Sequence, residues 1–166
     1  MPKYRYLAGL PFCLMVCMTD ASEISLTGKV IANPCIVDTN TRSKQVELPK
    51  GQIRRLATAG TGGEWVDFQL QLNECPAYLT QATVNFSGTP DNNDSKAFKN
   101  NGTSKNIALQ LKAQDTLYGN GMSLRSPIDA KTHKAYFPLS ARMYTPTGGA
   151  SSGTFNSVVN LTFTYQ

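Results

Sequence analysis

The chain has 166 residues, the length of one ordinary domain, and is 40% hydrophobic with only 16% charged residues, which is enough for a packed core. Its net charge of +5 is dispersed, with Arg54-Arg55 the only adjacent basic pair, so the charge reads as a solvated surface and not as a nucleic-acid interface. Plentiful Thr, Ser, Asn and Gly, without long Leu/Ala/Glu/Lys stretches, favour strands and turns over helices.

The first 21 residues read as a secretory signal. Lys3 and Arg5 give the positive start and Leu7 to Met18 the apolar stretch, which is too short to span a membrane. Thr19 and Ala21 suit signal cleavage before Ser22, while Val16 ahead of Cys17 disfavours a lipid anchor. Removing this segment takes the charge from 16 − 11 = +5 to 14 − 10 = +4. It also removes Cys13 and Cys17, leaving Cys35 and Cys75. Two cysteines in an exported chain most simply form one disulfide, with two free thiols as the alternative. A loop of about 41 residues would be stabilised by roughly 4 kcal/mol on the chain-entropy account.

Strand patterns then recur between turn signals. "SEISLTGKVIA" places Ser22, Ile24, Leu26, Gly28 and Val30 on one face. "KQVEL" at 44–48 is a short second candidate, and "LPKGQIRRLATAG" allows a helical turn. "WVDFQLQLNEC" is the clearest strand, with Val66, Phe68, Leu70 and Leu72 inward. "QATVNFSG" follows with Ala82, Val84 and Phe86, and "NIALQLKA" with Ile107, Leu109 and Leu111. "AYFPLSARMY" turns Phe137, Leu139, Ala141 and Met143 inward. Last, "SVVNLTFTYQ" alternates Val159, Leu161, Phe163 and Tyr165 with Asn160, Thr162 and Thr164. Separators such as "SGTPDNND" and "TPTGGASSGT" are rich in Gly, Pro, Asn and Asp. Short strands with this spacing predict one all-β sandwich.

Chemistry is scarce. His133 is the only histidine and lies in a polar turn, no G-x-S-x-G elbow accompanies it, and "NNGTSKN" lacks phosphate-loop spacing. Two isolated cysteines and one histidine offer no metal-ligand spacing. The Asn-x-Ser/Thr triplets at Asn85, Asn93, Asn101 and Asn160 read as incidental in so Ser/Thr-rich a chain. Trp65, ahead of a strong strand, reads as core. No catalytic, cofactor-binding or metal site is expected, nor any small-molecule substrate or nucleic-acid partner.

The two ends complement one another. The N-terminal strand precedes the cysteine loop and can be detached, while the C-terminal strand is an apolar edge that something must cover. With "GKVIANPC", "LQLNECP", "FSGTPD", "NIALQL", "YFPLSAR", Gly153 fourteenth from the C-terminus and the penultimate Tyr165, the chain resembles the type 1 fimbrial subunits of chaperone–usher pili. The resemblance spans the mature chain and fits the minor and adaptor subunits at least as well as the rod subunit.

It implies an incomplete immunoglobulin-like sandwich of six strands, the seventh supplied in trans by β-strand addition. Residues 1–21 would be the signal, 22–32 a donor strand carrying Ile24, Leu26, Gly28 and Val30, and 33–166 the pilin domain. Gly153, Val159, Leu161, Phe163 and Tyr165 would form the groove edge read by a periplasmic chaperone. An outer-membrane usher and neighbouring pilus subunits would be the other partners, and the destination a fimbria at the bacterial surface. Two other readings compete: a single-domain carbohydrate-binding tip adhesin, and a self-complete secreted sandwich.

Overall fold

A computed structural model describes residues 34–50 and 53–166. The expected donor strand, with Ile24, Leu26, Gly28 and Val30, and the expected signal therefore lie outside the described residues.

The elements run β1 (Ile36–Val37), α1 (Thr39–Arg42), a 3-10 turn (Ile53–Leu56), β2 (Thr61–Gly62), β3 (Val66–Asn73), β4 (Gln81–Ser87) and β5 (Ala97–Lys99). They continue with β6 (Ala108–Ala113), β7 (Thr116–Tyr118), β8 (Ser123–Asp129), β9 (Lys134–Thr145) and β10 (Asn160–Tyr165). The fold is all-β, as expected, apart from two single turns of helix. α1 exists because the Asp38 carboxylate accepts the Asn40 N–H at 2.9 Å, satisfying one of the donors a helix start leaves open.

Two layers face each other. In one, β3 and β6 flank β9, with β1 beyond β3, and β5 and β7 beyond β6. In the other, β4 lies between β8 and β10. β9 joins them: Lys134 and Ala135 pair with β8, whereas Ser140 to Tyr144 pair with β6. Pro138 falls between these two pairings, opposite Gln69 of β3, where its missing N–H costs no second ladder bond.

The inward residues are those the alternation picks out. Leu70, Leu72, Ala82, Val84, Phe86, Leu111, Phe137, Leu139 and Ala141 form the buried core. β6 differs from simple alternation, because Ala108 and Gln110 are buried as well as Leu109 and Leu111. The Arg142 guanidinium holds Gln110 through two bonds to Oε1 at 2.9 and 2.8 Å, which satisfies the amide oxygen on the outer face. A Cys35–Cys75 disulfide ties the start of the domain to the end of β3.

The segment "KQVEL" departs from expectation. Val46 and Leu48 are half-buried between exposed neighbours, but 44–48 forms no strand. Its side chains alternate as a strand's do; what it lacks among the described residues is a ladder partner.

Candidate strand-accepting groove

Between the layers, along one side, the sandwich of the described residues stays open. The opening is a groove of about 1110 Å³. Its floor is Phe68 and Leu70 of β3, Leu109 and Leu111 of β6, Leu139 and Ala141 of β9 and Phe86 of β4. One wall is the unpaired segment Lys44–Leu48, and the other is Phe155 to Leu161, which runs into β10. β10 pairs antiparallel with β4 from Asn160↔Ser87 to Tyr165↔Ala82. Among the described residues its opposite edge bonds to no strand. An edge strand, an unpaired extended wall and an apolar floor between them are what a β-strand needs to dock.

The expected edge residues divide into three groups. Val159 and Leu161 line the groove. Phe163 and Tyr165 point to the same face but lie beyond the groove lining, packed against the core. Phe163 meets Phe137 at 5.8 Å between ring centroids, and burial raises the Tyr165 hydroxyl above its usual range. Gly153 lines the groove from a loop and not from a strand.

The reason for a glycine at 153 is steric. A Cβ there would lie 2.5 Å from the Ser104 nitrogen and 2.8 Å from its Cα. This closeness belongs to a strap between residues 100–105 and 151–156. Ser104 N–H donates to the Thr154 carbonyl at 3.1 Å, Thr154 N–H to Thr103 Oγ1 at 2.9 Å, and Thr103 N–H to Thr154 Oγ1 at 3.0 Å. Asn100 Oδ1 accepts from both Gly102 and Asn156 N–H. The strap closes one end of the groove and fixes the approach to β10.

Two further groove features were not singled out from sequence: the wall Lys44–Leu48 as a wall, and the lining residues Phe155 and Ser157. The alternation of "TFNSVVNLTFTYQ" extends back to Phe155, so a longer reading of that row would have found Phe155 and Ser157, though not the wall.

No other part of the described residues resembles a reaction centre. His133 Nδ1 lies 3.1 Å from the Cys75 carbonyl in the turn between β8 and β9, where Asp129 accepts the Lys131 and Thr132 N–H groups. Those bonds lower the Asp129 carboxyl below its usual range. Trp65 is not core: it is half-buried on the outer face, with Lys112 Nζ at 4.6 Å and Arg142 Cζ at 4.4 Å from its ring centroid. Cation–π contact accounts for its position.

Among the described residues the two-layer all-β sandwich, open beside an edge strand, has the immunoglobulin-like fold of solved pilus subunits. Solved structures share the fold. The crystal structure of the P pilus rod subunit PapA matches 81% of this chain and 100% of its own, with a TM-score of 0.70 and 16% identity. A chaperone–usher pilus structure matches 91% of this chain and 99% of its own, with a TM-score of 0.68 and 17% identity.

The fimbrial protein family matches residues 24–166. Protein FimG of Escherichia coli K12 is 34% identical over 99% of this chain and 98% of its own length. The fimbrial-like protein YdeR of the same strain is 34% identical over 98% and 96%. The chain belongs to the fimbrial protein family. That family consists of structural subunits and not enzymes; they associate with other pilus subunits and are displayed at the cell surface.

Proposed function

We propose that this subunit polymerises by donor-strand exchange. Its groove is held in the periplasm by a chaperone strand, which is replaced at the outer-membrane usher by the N-terminal strand of the next subunit. Residues 1–21 direct export, residues 22–32 are the strand it donates, and residues 33–166 are the domain that accepts one. On the style of its motifs we place it among the minor, adaptor-like subunits of a type 1-like adhesive fimbria.

The observation that carries this reading is the pair of walls unpaired among the described residues, Lys44–Leu48 and the outer edge of β10, either side of an apolar floor. A guest strand between them gains main-chain hydrogen bonds along its length, while its alternate side chains fill the floor. Ile24, Leu26 and Val30 would each contribute roughly 1.5–3 kcal/mol if fully buried. Phe163 and Tyr165, packed on the core beyond the groove, serve the host domain's own stability more than they serve the guest.

Donation and acceptance are separable by experiment. A chain lacking residues 22–28 should still capture a synthetic peptide of residues 22–32, but should no longer plug a second subunit in a mixing assay. A truncated chain that lost its own fold and could not be held by a chaperone would place that strand inside its own domain and make this a self-complete sandwich.

A further inference from the structure

Approaching β10, alternate residues of the groove wall are half-buried: Phe155, Ser157, Val159 and Leu161. Ser157 interrupts an otherwise apolar row. Its Oγ is the one buried side-chain oxygen or nitrogen among the described residues that has no hydrogen-bond partner. Two other hydroxyls of the lining are engaged: Ser104 Oγ donates to the Ser151 carbonyl at 2.7 Å, and Ser151 Oγ accepts the Lys105 N–H at 2.9 Å. Native structures leave few buried hydroxyls unpaired, because the lost hydration is not recovered. Alanine or valine at 157 would continue the row without that penalty, so the hydroxyl needs a partner that the domain itself does not supply.

We propose that Ser157 is a specificity-determining residue of the groove: its hydroxyl hydrogen-bonds the incoming strand and so selects a guest whose apolar row is broken beside it. This rests on the strand-accepting reading above. The occupant is the N-terminal strand of another subunit with the pattern of residues 22–32. There, Ser22 precedes and Gly28 interrupts the row formed by Ile24, Leu26 and Val30. A large apolar side chain beside Ser157 would leave the buried hydroxyl without a partner. A glycine leaves the guest main chain within reach, and a serine brings an oxygen of its own. Side chains on one face of a strand repeat every two residues, so one such contact also fixes the guest's register.

The test refolds the full exported chain with a fluorescent peptide of residues 22–32 and compares capture by wild type, Ser157→Ala and Ser157→Thr. Loss of one hydrogen bond predicts capture about three- to tenfold weaker for the alanine host. The threonine host, which keeps the hydroxyl, should stay near wild type. Peptides carrying Ser22→Leu or Gly28→Leu identify the interrupted position: one of them should be insensitive to Ser157→Ala. An alanine host that captures the unmodified peptide as well as wild type, or better, overturns this inference alone. Failure of the wild-type host to capture any peptide overturns the strand-accepting reading together with it.

Discussion

Replacing Gly153 by alanine should loosen the closed end of the groove. The new Cβ would sit 2.5 Å from the Ser104 nitrogen, where ordinary van der Waals contact begins at 3.4 Å, so the two segments must part by 3.4 − 2.5 = 0.9 Å at that point. Of the three obstructing atoms, the Ser104 nitrogen and Cα are backbone and cannot swing aside, and the third is Thr103 Oγ1 at 2.8 Å. The Ser104 N–H to Thr154 carbonyl bond, already 3.1 Å, and the reciprocal Thr103–Thr154 bonds at 2.9 and 3.0 Å would stretch beyond useful length. Each is worth about 0.5–1.5 kcal/mol net, and overpacking of this kind costs about 1–3 kcal/mol. We expect a loss of about 2–3 kcal/mol, seen as a urea midpoint lowered by roughly 1–2 M for the full chain refolded with the 22–32 peptide. Gly63→Ala is the control, since its Cβ would meet only the Met143 carbonyl at 3.8 Å. A Gly153→Ala midpoint equal to the control's would refute the steric account.

Cys75→Ser removes the Cys35–Cys75 bond and should cost about 2–5 kcal/mol, read as a sharp fall in periplasmic subunit; two free thiols in the native exported protein would contradict it. Phe163→Ala removes a half-buried ring packed against Phe137 and should destabilise the host by about 2–3 kcal/mol, yet slow guest capture little. A capture defect exceeding the stability loss would return Phe163 to the groove. The Asp129 carboxyl is lowered by its turn bonds, so its contribution is present above the ordinary carboxylate range and lost as pH falls through the lowered value. Protection of the Lys131 and Thr132 amides, measured against their intrinsic exchange rates at each pH, should therefore fall in acid, and Asp129→Asn should flatten that dependence.

Much of the fold was legible because strand burial follows a period of two: Phe68–Leu72, Ala82–Phe86 and Phe137–Ala141 all turn inward as the alternation requires. β8 escaped notice because Ser126 interrupts the inward row of Leu124 and Ile128 and Pro127 argues against a strand, so its ladder is visible only once β4 is beside it. Trp65 was misplaced because sequence shows hydrophobicity but not which cations a neighbouring strand brings across its ring. The groove was readable only in part. Val159 and Leu161 carried the signal, but the opposing wall at 44–48 is defined by the partner it lacks, and the strap that demands Gly153 joins segments about fifty residues apart.

Residue-resolved amide hydrogen exchange, with and without the 22–32 peptide, tests the central claim most directly. In a strand, successive N–H groups point to opposite sides. β10 bonds to β4 on one side only among the described residues, so alternate β10 amides should exchange quickly in the free subunit. Peptide binding should slow those amides and the amides of residues 44–48 together, while the β4-facing amides change least. Bound peptide that leaves both walls unprotected would contradict a guest strand lying between them.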